Sequence, residues 1–170
     1  MSKALLIALK TAFNAEKEGI RMYLKFAKDS AVVSGKNMFI QLAADEVDHL
    51  EIVQEAIDEH MAGKKFEKIK IPKGRLAKFM PDIKDLSVQP VDKADINDEE
   101  ALKVAVKHEL KAKNFYASEA ENTNNEEVKK IFMELADVEE KHYQILQTEL
   151  DFIRKDGFWF DTMEFSLEAE

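Results

Sequence analysis

The sequence predicts an all-α fold, a bundle of four helices made of two duplicated antiparallel hairpins joined by a long crossover. Three observations predict it. Apolar residues recur at helical spacing through four stretches. All three prolines and two of the five glycines fall in the one segment, 62–95, between the second and third stretches. The first half of the chain also matches the second at a constant offset of 93 residues.

The first helix is expected from about Ser2 to Asp29, with Leu9, Phe13, Glu16, Ile20, Tyr23 and Ala27 stepping along one face. The second is expected from about Lys36 to Met61, with Phe39, Leu42, Glu46, His49, Val53 and Ala56 on the same kind of stripe. Segment 62–95 cannot continue as one helix through its prolines. It holds nine Lys or Arg against five Asp or Glu, so it is locally basic in an acidic protein. The third helix begins at "INDEEAL", where Asn97 and Glu100 fit a capping box, and runs to about Glu121 through Leu102, Ala105, Glu109, Ala112, Tyr116 and Ala120. The fourth starts after "NTNNEE" and ends near "RKDG", where Gly157 suits the left-handed residue behind a helix C-terminus. Its seam is Phe132, Leu135, Glu139, His142 and Leu146. The tail 156–170 carries the one Trp and three Phe and reads as an irregular strap over the bundle or a dimer contact. The hairpins thus span about 2–61 and 97–155, and residues 1–170 read as a single domain.

Composition narrows the function. With 45% hydrophobic and 35% charged residues, the chain suits a helical globular protein rather than a disordered or fibrous one. Zero Cys excludes disulfides, thiolate metal sites and a cysteine nucleophile. A formal charge of −9 argues against general nucleic-acid binding. No apolar run is long enough to span a bilayer, and the start "MSKALLIALKTAFNAEKEG" lacks a signal peptide's cleavage region, so a cytoplasmic protein with no membrane partner is expected.

The repeat focuses attention on a few polar residues. Between residues 16 and 54, 11 of 39 ungapped pairs are identical across the offset of 93. Glu16 falls on Glu109, Tyr23 on Tyr116, Glu46 on Glu139 and His49 on His142. Within each hairpin the two glutamates lie 30 residues apart, with their midpoint in the turn. In an antiparallel pair such residues sit at one height. Two hairpins packed about a pseudo-twofold axis therefore bring four carboxylates and two imidazoles into one layer. The crossover has reach enough to return along helices about 40 Å long, which leaves the second and third helices parallel. Four buried carboxylates without a buried Lys or Arg either protonate or recruit cations, and two divalent ions with neutral histidines balance the charge. A Glu-x-x-His pair presents both side chains on one helix face, as two ligands of one ion require. Paired single Glu and Glu-x-x-His motifs are the known ligand pattern of di-iron and di-manganese carboxylate bundles. His60 and His108 lack partners in the repeat and read as surface residues.

The motif pair "EKEGIRMY…ADEVDH" and "ELKAKNFY…ADVEEKH" resembles the rubrerythrin-like branch of the ferritin-like superfamily, over about residues 5–155. The resemblance implies a ferritin-like fold, with Glu16, Glu46, His49, Glu109, Glu139 and His142 as ligands of two iron ions. Glu46 and Glu139 would bridge the ions. Manganese or a mixed pair fits the same ligands, as does zinc in isolated protein. Tyr23 and Tyr116 occupy places where the family has tyrosines bonded to ligand carboxylates.

Two departures bear on activity. Rubrerythrins append an iron site of two Cys-x-x-Cys pairs, which a Cys-free chain lacks, so electrons are expected from an external donor such as a rubredoxin. The extra carboxylate that rubrerythrins carry three residues after the first ligand of the third helix is Ala112 here, and its echo is Gly19. Small residues there leave room for an oxidant or serve close helix packing. The implied activity is a di-iron peroxidase or oxidase acting on hydrogen peroxide or dioxygen, in a homodimer. The alternatives are a ferroxidase of iron storage and a non-catalytic metal-binding scaffold or sensor. No haem is expected, since Val47 stands where bacterioferritins place the haem-binding Met.

Overall fold

The computed structural model describes residues 3–63, 90–93 and 96–160. Four long helices dominate it: α1 (Lys3–Asp29), α2 (Val33–Ala62), α3 (Ile96–Asn122) and α4 (Glu126–Asp156). Two short strands, β1 (Pro90–Lys93) and β2 (Phe158–Phe160), complete the described elements. Helix α1 packs along α2, and α3 along α4, as two hairpins. The fold is the four-helix bundle expected from the sequence.

Local chemistry sets the helix ends. Asn125 caps α4, its side-chain oxygen accepting from the N–H groups of Glu127 and Val128, both at 3.1 Å. Gly157 closes the same helix at φ 78°, donating its N–H to the Ile153 carbonyl. Gly63 does the same for α2 at φ 66°. Helix α3 begins at Ile96, one residue before the Asn97 at which the sequence places its cap.

Two apolar layers hold the bundle. One joins Tyr23 and Ala27 of α1, Phe39 and Leu42 of α2, Leu102 and Ala105 of α3, and Leu146 and Ile153 of α4. The other joins Leu9 and Ala12 of α1, Val53 and Ala56 of α2, Tyr116 and Ala120 of α3, and Phe132 and Leu135 of α4. The first layer contains the starts of α2 and α3 together with the ends of α1 and α4, so α2 and α3 run parallel. Each fully buried large side chain contributes about 1.5–3 kcal/mol.

The tail differs from the irregular segment expected. Its residues 158–160 pair antiparallel with β1, Lys93 opposite Phe158 and Pro90 opposite Phe160, with a bulge between Pro90 and Asp92. Between them, Trp159 turns inward to 1% exposure and stands edge-on to Phe39 at 6.0 Å. Its indole N–H donates to Asp98 at 3.1 Å, and the Ser30 hydroxyl donates to the other Asp98 oxygen at 2.9 Å. Gly35 makes this possible, since a Cβ there would stand 2.7 Å from the indole. The strap therefore ties α4 to the starts of α2 and α3. The basic character of 64–89 and the tail's Phe165 lie outside the described residues. No helix among the described residues is long and apolar enough to cross a membrane.

Candidate metal centre

Between the two apolar layers, six side chains from all four helices converge. Glu16 comes from α1, Glu46 and His49 from α2, Glu109 from α3, Glu139 and His142 from α4, and none is more than 2% exposed. Helical spacing brings each Glu-x-x-His pair onto the bundle axis, and the duplicated hairpin places the pairs face to face. The two imidazole rings lie nearly parallel, 5.8 Å apart.

The polar atoms point at one another rather than at hydrogen-bond partners. His49 Nδ1 lies 3.1 Å from Glu139, 3.5 Å from Glu46 and 3.7 Å from Glu16. His142 Nδ1 lies 3.3 Å from Glu139 and 3.9 Å from Glu109. Both oxygens of Glu46 and of Glu139, one of Glu109 and the Nδ1 of each histidine are buried without a hydrogen bond. Orphaned buried groups of this kind are costly, and their convergence is what a bound cation would relieve. The ligand atoms form two groups, each within 4.8 Å: Glu16, Glu46, Glu139 and His49, and Glu46, Glu109, Glu139 and His142. The donor set therefore fits two cations. Glu46 and Glu139 belong to both groups.

Proton affinities in the layer follow from crowding. Burial, then the charge of Glu46, pushes Glu16 well above the usual carboxylate range. Burial, then the charges of Glu139 and Glu46, does the same to Glu109. Burial acts on Glu139 too, but the facing His49 charge and the contact with His142 outweigh it and hold Glu139 low. Burial disfavours a charged imidazole, yet at His142 the Asp45 and Glu139 carboxylates outweigh it and raise the ring to about 9. His49 is raised well above its ordinary value against the same burial, chiefly by Glu139.

The tyrosines bind across the hairpins. The Tyr23 hydroxyl donates to Glu109 and the Tyr116 hydroxyl to Glu16, so each hairpin's tyrosine holds the other hairpin's first glutamate.

A rubrerythrin family model matches residues 8–150, a span that contains all six of these side chains and both tyrosines. The chain belongs to the rubrerythrin family. Its fold is also similar to a solved structure of a hypothetical protein from Pyrococcus furiosus, with a TM-score of 0.67 and 24% identity over 91% of this chain and 93% of that one. No curated protein matches the chain. Membership in the rubrerythrin family implies di-iron binding, and the buried carboxylate and histidine cluster suits such a site.

Three features of this rubrerythrin-family chain escape a reading of the sequence. Asp45, 1% exposed, accepts a hydrogen bond from His142 Nε2 at 3.2 Å. It has no echo in the repeat, which drew attention only to matching positions. An acid beside a stripe residue in "AADEVDHL" was the available signal. His108 is half-buried rather than on the surface, because its ring stands edge-on to Tyr23 at 6.1 Å. Its Nε2 lies 2.9 Å from where a Gly19 Cβ would be, and Glu46 lies 3.4 Å from the same point. The space beside Gly19 is thus filled by close packing against His108 and Glu46. His60 is likewise buried, at 8% exposure, near the end of α2.

Proposed function

We propose that Glu16, Glu46, His49, Glu109, Glu139 and His142 hold two iron ions, and that the protein reduces hydrogen peroxide or dioxygen with electrons from an external donor. The observation that carries this reading is the sharing of Glu46 and Glu139 between two ligand groups of identical composition, three carboxylates and one imidazole each. Glu16 and His49 would complete one position and Glu109 and His142 the other, with Glu46 and Glu139 shared by both. The same ligands accept manganese or a mixed pair.

When bound, such a metal pair supplies the electrons that reduce the O–O bond. The chain's own residues prepare the place for it. Glu46 and Glu139, each with two oxygens free of hydrogen bonds, would let the ligand layer follow changes in cation charge. Tyr23 and Tyr116 hold one oxygen of Glu109 and of Glu16, fixing how the remaining oxygen is presented. The apolar layers around Leu42 and Leu135, both fully buried, keep bulk water from the ligands. These 170 residues contain no Cys, so no thiolate iron centre within them passes electrons inward, and a donor outside them, such as a rubredoxin, has that role.

The test is consumption of hydrogen peroxide by the metal-free protein reloaded with ferrous iron under anaerobic conditions. Consumption well above that of the same ferrous iron in buffer is expected for the native chain, and is expected to vanish in Glu139→Ala. Equal consumption by both proteins would overturn the reading.

A further inference from the structure

The repeat makes the two halves of the layer alike in their ligands and unlike immediately behind them. His142 Nε2, the nitrogen turned away from the ligand carboxylates, bonds to Asp45 of α2 at 3.2 Å, with neither side chain exposed. The position that echoes Asp45 across the offset of 93 is Val138, which is 4% exposed and has no acceptor to offer. The neighbouring acid of α4, Asp137, is one residue out of register. It stands on the surface, its side chain 67% exposed and paired with Lys141. Among the described residues, His49 meets carboxylates through Nδ1 alone. The asymmetry is therefore built by one substitution in the repeat, a buried Asp on one side and a buried Val on the other.

We propose that Asp45 makes the two cation positions unequal, so that the position formed by His142 and Glu109 binds its ion first and more tightly than the position formed by His49 and Glu16. This rests on the reading of the layer as a two-ion site. The physical reason lies in the imidazole. A carboxylate that accepts from one ring N–H fixes the tautomer, leaving the lone pair on the other nitrogen, and it makes that nitrogen a better donor to a cation. It also locks the ring in its orientation, so less freedom is lost on binding. His142 has this support on Nε2, which leaves Nδ1 as the ligating atom facing Glu139 and Glu109. His49 binds without that support. Partners of this kind change metal affinity by about 10- to 100-fold. Asp45 is a positioning residue, since it faces the side of the ring turned away from the ligand carboxylates and acts through His142.

Stepwise titration of metal-free protein with cobalt(II), followed by absorption and calorimetry, tests the proposal. The native chain is expected to bind two ions in steps separated by about 10- to 100-fold in affinity. Asp45→Asn, close in shape, is expected to weaken only the tighter step and bring the two constants together. Val138→Asp is expected to strengthen the weaker step. A role in folding alone would instead lower both steps or neither. Two ions bound by the native chain with constants that Asp45→Asn leaves unchanged would overturn the inference while leaving the two-ion site standing. Absence of cobalt binding by the folded native chain would overturn both.

Discussion

At either end of the bundle the four helices meet through side chains such as Phe39, Leu102 and Leu146, or Leu9, Phe132 and Leu135, all fully buried. In the middle the same helices meet through Glu16, Glu46, His49, Glu109, Glu139 and His142, buried just as deeply. Burial stabilises the first kind of layer, because each apolar side chain leaves water and gains close packing. It strains the second, where desolvated carboxylates face one another with orphaned oxygens. The ends of the molecule are complete as folded chain, whereas the middle leaves buried polar atoms without partners and, in the reading proposed above, is completed by cations. Stability and cation binding are therefore drawn from different layers and separate under mutation.

The largest expected effect lies at the ends. Phe132→Ala removes a fully buried ring from the layer around Leu9 and Leu135, and a loss of about 3–5 kcal/mol in denaturant unfolding is expected, with two ions still bound at saturation. The middle is expected to respond differently. Glu46→Leu takes one of the mutually repelling carboxylates out of the crowded layer, while Glu139 still faces His49, so the metal-free protein is expected to be about as stable as the native chain, while losing the stabilisation that metal gives the native chain. A metal-free Glu46→Leu protein much less stable than native would break the contrast.

The pH dependence sharpens it further. His142, held at about 9 in the fold against 6.5 when unfolded, binds its proton more tightly in the native state. The stability it contributes is whole below about pH 6.5 and is lost as pH climbs through 9. His49 is raised as well and acts in the same direction. Glu16 and Glu109, also raised, lower stability as pH rises above the ordinary carboxylate range near 4.5. Metal-free protein is thus expected to unfold more easily at pH 9 than at pH 6.5, by a few kcal/mol. Metal binding is expected to run the other way and strengthen as pH rises from 5, because the ligands must shed those protons. Equilibrium unfolding and cobalt titration over the same pH range check both slopes.

Smaller effects are expected where polar contacts serve the apolar ends. Asp98→Ala leaves the Trp159 indole and the Ser30 hydroxyl without their shared acceptor. A loss of about 1–3 kcal/mol in urea unfolding is expected, with metal stoichiometry unchanged. Smallest is Asn125→Ala, which removes the α4 cap and is expected to cost about 1 kcal/mol.

The bundle and the converging layer of carboxylates and imidazoles were legible in the sequence because both are written periodically. Seam spacing marked the helices, and the doubled distance from each turn put Glu16 level with Glu46, and Glu109 level with Glu139. What periodicity does not repeat was missed. Asp45 and Asp98 are single acids whose partners, His142 and Trp159, lie 97 and 61 residues away, and no local pattern announces such pairs. The β1–β2 pairing went unread for the same reason, since three residues of tail become a strand only against a partner from the crossover. His108 looked like a surface residue because its place off the α3 seam says nothing about the opening that Gly19 leaves on α1.

The central claim, that the buried polar layer is completed by two cations, is tested most directly by metal content. Protein prepared without air, exchanged free of loosely bound metal and analysed by elemental mass spectrometry, is predicted to hold two transition-metal ions per chain, and Glu46→Ala with Glu139→Ala close to none. A folded native chain that holds no more metal than the double variant, and takes up none when ferrous iron, manganese or cobalt is supplied, would contradict it.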